Sequence, residues 1–321
     1  MNITRKTRGL LTAAVAAALM SFGGVAKAEF PEKPVEMTVL FGGTANTIAQ
    51  LLSELMSAEL SQPVVPVARK GGGGAVGYSY VAGTSPDGYN IVWNSNSINT
   101  TYNTGRIPFD YTAFTPIARV SIEVPALAVN ASSGWESLAD MVAAATASGE
   151  KLKVGISGKG SFTHLTSAAL FDAMGIADNV SYISYGDGKA PVELLAGRID
   201  VAIQWPGQFV SYVQSGDLTV LAVTGDERVP VLPDVPTAME QGVDVNITMW
   251  RGLAAPAGTP ADVVAKLEAA ARAAVATDQF QQAAGNIGFS PAFLGAAEFG
   301  DVIARDDQFY AGLLSQLGMA K

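Results

Sequence analysis

The chain has no cysteine. That excludes disulfides, thiol catalysis and a lipid-modified N-terminal cysteine. It has one histidine, His164, so a zinc site rich in histidine and cysteine cannot be built. No D-x-[DN]-x-[DN]-G calcium loop is present, and neither a metal nor a cofactor is expected. Charged residues are scarce at 15%, while 49% are hydrophobic. A sizeable core can therefore be buried, and the composition is not that of a disordered chain. Beyond the first residues no apolar run is long enough to span a bilayer. Basic residues are also in deficit, with 20 Lys and Arg against 29 Asp and Glu.

What is present begins with residues 1–28. Arg5, Lys6 and Arg8 precede an apolar run from Leu10 to Met20, and Ala26-Lys27-Ala28 is an A-x-A site before Glu29. This reads as a secretory signal peptide cleaved after Ala28, its apolar run too short for a permanent anchor. The mature chain is then expected outside the cytoplasm, in the periplasm, free, soluble and monomeric, without a ready supply of ATP or NAD. Losing Arg5, Lys6, Arg8 and Lys27 takes the net charge from −9 to −13. An acidic surface of that size argues against nucleic acid or an anionic membrane as partner. It leaves a small anion possible, because a recessed site is governed by local dipoles.

The remaining 293 residues suffice for two domains. Strands are expected at Val35 to Phe41, Val64 to Ala68, Tyr89 to Trp93, Leu152 to Ile156, Val180 to Tyr185, Ile199 to Ile203 and Leu218 to Thr224. Helices alternate with them. Thr44 can cap one carrying Ile48, Leu51, Leu52, Leu55 and Met56 at helical spacing. Ser133-Gly134-Trp135-Glu136 reads as a capping box opening a second. Another runs from Ser161 to Met174, one from Thr259-Pro260 to about Ala276, and one over Ala296 to Leu317. Such alternation implies an α/β protein with mainly parallel sheets covered on both faces. No flexible tether divides the chain, so a domain division must come from the chain crossing between lobes.

Gly72-Gly73-Gly74-Ala75-Val76-Gly77 matches G-x-G-x-x-G. A dinucleotide fold wants an acid at the end of the next strand, which here ends Asn94-Ser95-Asn96, so these glycines read as a tight turn. Gly155-Ile156-Ser157-Gly158-Lys159 narrowly misses the G-x-S-x-G nucleophile elbow, and His164 follows Ser157 too closely for the hydrolase order. Ser157 through Ser161 instead joins a strand to a helix start, where unpaired N–H groups make an anion site. Gly42-Gly43-Thr44 does the same after the first strand. Two such loops could face each other across a cleft and grip a carboxylate. His164 is placed to hold its loop or to touch the ligand. Trp205 and Trp250 can wall the pocket or pack in the core.

These loops lie within a pattern that resembles the solute receptors of tripartite tricarboxylate transporters, the Bug or TctC-like family. The resemblance runs from about Phe30 to the C-terminus. It rests on Phe30-Pro31-Glu32-Lys33-Pro34-Val35, Arg69 through Gly77, Ser85-Pro86-Asp87-Gly88-Tyr89, Ser157 through His164, Leu194 through Asp200 and Leu221-Ala222-Val223-Thr224. Leu232 through Thr237, Trp250-Arg251-Gly252-Leu253 and Ala255 through Pro260 complete it.

The resemblance implies a two-lobed periplasmic binding protein of type II, each lobe a mainly parallel or mixed sheet flanked by helices, with the ligand in the cleft between them. It implies no enzymatic activity. The ligand would be a small organic acid, either a di- or tricarboxylate or an aromatic carboxylate. The partners would be the large and small membrane subunits of a transporter. On this reading, residues 29–129 and 251–321 form the first lobe and 130–250 the second. The ligand-binding residues are expected to be Phe41, Gly42, Gly43, Thr44 and Asn46 from the first loop. Ser157, Gly160, Ser161, Thr163 and His164 would come from the second, with Asp187, Gln204 and Trp205 beyond. Ser161→Ala is expected to cut affinity with little loss of stability.

The chain departs from the family at Leu40, in a shorter first loop, and at Asn46, where the family has Asp. That loss removes a partner for a ligand amine and a repulsion against carboxylate, which favours a plain carboxylate. The Tyr185-Gly186-Asp187-Gly188-Lys189 loop also differs. Two other readings remain open: a sensory co-receptor for the same ligand, and an exported hydrolase using Ser157 and His164.

Overall fold

The computed structural model describes residues 29–185 and 188–321. The expected signal peptide over 1–28 and Asp187 lie outside the described residues.

Strand β1 (Val35–Val39) buries Val35, Met37 and Val39, and Thr38 between them is buried too. A strand covered on both faces has this near-continuous burial. Helix α1 (Thr44–Leu60) lays Ile48, Leu52 and Met56 on that core at the expected helical spacing. There follow β2 (Val64–Ala68), α2 (Ala75–Ala82), β3 (Asn90–Ser95), α3 (Ser97–Asn103) and β4 (Phe114–Glu123). β1 runs parallel to both β2 and β3. The glycine-rich stretch joins β2 to α2. Gly77 there lets the helix settle closely, since a Cβ would lie 2.4 Å from the Leu40 side chain and 3.0 Å from the Arg69 carbonyl oxygen. The motif works as a turn followed by close packing.

The second sheet contains β5 (Ala126–Asn130), β6 (Leu152–Ile156), β7 (Val180–Ser184), β8 (Val201–Gln204) and β9 (Leu218–Val223). Its order is β7-β6-β8-β5-β9. Helices α4 (Leu138–Ser148), α5 (Phe162–Ala173), α6 (Ala190–Leu195) and α7 (Val210–Gln214) are interspersed. The chain then returns. Strand β10 (Met249–Pro256) enters the first sheet between β3 and β4, antiparallel to both. After α8 (Ala261–Ala276) and α9 (Asp278–Ile287), β11 (Ser290–Gly295) completes the order β11-β4-β10-β3-β1-β2. Helix α10 (Ala296–Gln316) ends the fold.

Four expectations change. First, the mainly parallel sheets read from the alternation alone are mixed, as the resemblance allowed, because β5 and β10 enter antiparallel to their neighbours. Second, residues 126–129, assigned to the first lobe, pair in the second sheet. Met249 and Trp250, assigned to the second, pair in the first. Only Val124-Pro125 separates β4 from β5, and the residues there do not mark a change of sheet. Third, α10 does not belong to one lobe. Its Phe299 and Ile303 pack with Tyr78 and Trp250 of the first, whereas Tyr310, Leu313 and Leu314 join the core around Phe162 and Phe171 of the second. Fourth, the capping box of α4 is Ser137 and Asp140, not Ser133 and Glu136. The Asp140 N–H donates to Ser137 Oγ at 3.1 Å, and the Glu136 N–H donates to Asp140 Oδ2 at 3.1 Å.

Candidate functional site

A cavity of about 380 Å³ opens between the two sheets, lined from both. Its first wall is the β1–α1 loop. Gly43 is the N-cap of α1, with φ 60° and ψ −141°, a conformation that suits glycine alone. Thr44, expected to be the cap, is instead the first helical residue. Glycine therefore holds the capping position, and no side chain caps the helix. The amides of Thr44 and Ala45 therefore have no intrahelical acceptor, and the positive end of a helix of 17 residues faces the cavity.

The opposite wall is the β6–α5 loop. Gly158 O accepts from the Ser161 N–H at 3.0 Å, closing a turn. Ser161 is the N-cap of α5, its Oγ accepting from the His164 N–H at 3.3 Å. Thr163 Oγ1 accepts from the Ser157 N–H at 2.9 Å and lies 3.1 Å from Ser161 Oγ. Gln204 Nε2 donates to Ser157 Oγ at 3.3 Å, which leaves that hydroxyl proton free. Trp205 stacks on Phe162 with centroids 5.9 Å apart. Because Ser161 caps the helix, Ser161→Ala also removes a cap. It is expected to cost about 1 kcal/mol of stability, contrary to the expectation of little loss.

Of the residues expected from sequence, ten line the cavity: Phe41, Gly42, Gly43, Thr44, Ser157, Gly160, Ser161, Thr163, Gln204 and Trp205. Asn46 and His164 do not. With Gly43 as cap, Asn46 falls within the first turn of α1, its N–H donating to Gly43 O at 3.0 Å. His164 is buried, its ring edge-on to Tyr182 at 4.5 Å, and its Nδ1 accepts from the Gly160 N–H at 3.1 Å. It holds the loop and is not bonded to Ser157, so the hydrolase pairing is not assembled.

Burial, with Lys159 nearby, lowers the His164 pKa to about 4. The unfolded chain thus takes up its proton near pH 6.5, well before the folded one. That contribution to stability is complete above pH 6.5 and is lost as pH falls toward 4. The melting temperature is expected to fall across that window. His164→Asn, which keeps an acceptor for Gly160, should flatten the slope. Parallel melting curves for both proteins would refute this.

Composition did not reveal the charge of the cavity. Lys70, Arg106, Lys159 and Arg251 line it, and no carboxylate does among the described residues. Arg106 Nη2, from the first lobe, donates across the cleft to the Lys159 carbonyl at 3.0 Å. Arg251 is held from behind by Glu123. A local excess of cations in an acidic protein is a signature of an anion site. The four lie far apart in sequence and share no motif. Lys70, Lys159 and Arg251 lie within stretches that carry the resemblance and Arg106 does not, but nothing in those stretches marks them as one cluster. Among the described residues no group of acids and histidine could hold a metal ion.

Comparison with known proteins agrees with this geometry. The family model for the Tripartite tricarboxylate transporter family receptor matches residues 48–318. BugT of Bordetella pertussis is 28% identical over 297 residues, covering 90% of this chain and 90% of that protein. The crystal structure of a TctC solute binding protein from Polaromonas, without ligand, has TM-score 0.76 and 30% identity, covering 90% of this chain and 100% of that one. An R. palustris protein solved with adipate has TM-score 0.81 and 25% identity, covering 91% of this chain and 99% of the other. More remote structures include an alkanesulfonate-binding protein from Xanthomonas axonopodis, with TM-score 0.57 and 12% identity. That likeness is one of fold. A two-lobed α/β architecture, paired loops on a cationic cleft and a match over residues 48–318 converge, and the chain belongs to the tripartite tricarboxylate transporter receptor family.

Proposed function

We propose that the mature chain, cleaved after Ala28, is a monomeric periplasmic receptor that captures a small organic acid between its lobes. It then delivers that acid to the large and small subunits of a membrane transporter. The observation that carries this reading is the cavity itself. The open N-terminus of α1 on one wall, the hydroxyl-bearing start of α5 on the other and four cations converge there without a described carboxylate to neutralise them.

In this reading the ligand carboxylate accepts hydrogen bonds from the amides at the start of α1. The Ser157 hydroxyl donates from the other side, as does one hydroxyl of the Ser161–Thr163 pair, the other proton lying in their mutual bond. Gln204 orients Ser157, and His164 positions Gly160. Burial of the ligand between lobes strengthens each of these contacts by excluding water. The adipate bound by the R. palustris relative supports an organic acid as cargo. The receptor role is favoured over hydrolysis because the lone imidazole is committed to a backbone amide.

The test is titration calorimetry of the mature protein with organic acids, accompanied by thermal shift. A bound acid at about a hundred times its dissociation constant should raise stability by about 2.7 kcal/mol. Ser161→Ala should weaken binding by about tenfold, the effect of losing one charge-assisted hydrogen bond. Unchanged affinity in a folded variant would remove Ser161 from the site.

A further inference from the structure

Arg251 differs from the other cations of the cavity. Lys70, Arg106 and Lys159 are exposed, while Arg251 is 3% exposed. It sits on β10, where register sets it opposite Ser95 of β3 and Ser121 of β4, and it lines the same cavity as the two loops. Its Nε donates to Glu123 Oε2, while Glu123 Oε1 is buried without a hydrogen-bond partner. The pair is thus single-pronged, not the two-pronged fork a guanidinium makes with a carboxylate it fully engages. No hydrogen bond from either Nη of Arg251 is formed among the described residues. A guanidinium is always charged, and one that is buried demands acceptors for its remaining protons. None is present among the described residues, and the space it borders is the ligand cavity.

We propose that Arg251 is the seat of a second anionic group, so that the ligand is a short dicarboxylate reaching from the paired loops to β10. The inference rests on the carboxylate-receptor reading above and deepens it. Charge favours it, since the mouth of the cavity holds three exposed cations beyond the pair formed with Glu123. The walls favour it as well. Phe41, Phe162, Trp205 and Met249 line the same space and give a methylene linker apolar surface. A monocarboxylate of equal length would leave its methyl end against the guanidinium, which would gain no acceptor.

The experiment is calorimetry with matched pairs: succinate and butyrate, glutarate and valerate, adipate and hexanoate. Wild-type protein should bind at least one diacid about a hundredfold more tightly than its monoacid, the scale of a close charge pair. In Arg251→Gln/Glu123→Gln an amide pair replaces the ion pair and strands no charge. There the preference for diacid over monoacid should shrink to about tenfold or less. Arg251→Lys keeps the charge but not the fork, and serves if the double variant does not fold. It should lose about tenfold of the preference. Equal binding of diacids and monoacids by wild type would overturn the seat alone. So would a preference that survives in either folded variant. Wild-type protein that binds none of these acids would overturn the carboxylate reading and the seat with it.

Discussion

Glu123→Ala is expected to cost about 3–5 kcal/mol of stability, because removing one partner strands a buried charge. Glu123 is 1% exposed and its partner Arg251 is 3% exposed, so water reaches the guanidinium only along the edge that borders the cavity. Arg251→Ala should be comparably harmful, since it leaves a buried carboxylate unpaired. Glu123→Gln/Arg251→Gln should recover most of the loss, as neither amide carries a charge. The pair ties β4 to β10, the strands by which the chain leaves and re-enters the first lobe. Urea unfolding would show the effect as a lower midpoint with an unchanged slope. A loss below about 1 kcal/mol would mean that the pair is hydrated, like a surface ion pair.

Gly207→Val is expected to weaken ligand binding by about ten- to a hundredfold while leaving each lobe folded. Gly207 follows β8 in the second lobe, and a Cβ there would lie 2.3 Å from the carbonyl oxygen of Ile287, the last residue of α9 in the first. Gly288 presses on the same spot, where its own Cβ would meet the Gly207 backbone nitrogen at 3.0 Å. Neither obstacle is a flexible side chain, so the lobes must move apart. Overpacking of this kind costs about 1–3 kcal/mol. Here the cost falls on the arrangement of the lobes rather than on either core. Apparent affinity drops with the population of the binding-competent arrangement, and each 1.4 kcal/mol is about tenfold. Small-angle scattering should show a larger radius of gyration alongside the weaker binding. Wild-type affinity with wild-type dimensions would mean that this contact does not govern closure.

Much of the site's scaffold was legible in the residues themselves. Ile48, Leu52 and Met56 marked the buried face of α1, and Gly42-Gly43 marked the turn before it. Ser157 through Thr163 was legible as a strand-to-helix loop for the same reason, since glycines and a capping serine act within a few residues of chain. The errors were also local. Ser133 with Glu136 has the spacing of a capping box, but Ser137 with Asp140 competes four residues on and wins. Thr44 has the residue type of a cap, but the helix begins one residue earlier in register, with Gly43 as its cap.

The sequence by itself determined the alternation of strands and helices, their apolar faces, and the two loops whose helix starts can receive an anion. Those properties depend on spacing within one element. Tertiary structure alone decided which sheet β5 and β10 join, that α10 spans both lobes, and that the cavity of an acidic protein is lined by cations. Glu123 and Arg251 are 128 residues apart, and Asn96 donates to Tyr310 across 214. Such pairs form only when strand order is set, and strand order is chosen by packing of the whole core. A lone arginine on an apolar strand carries no local mark of the partner that will hold it, nor of the space its free edge will face.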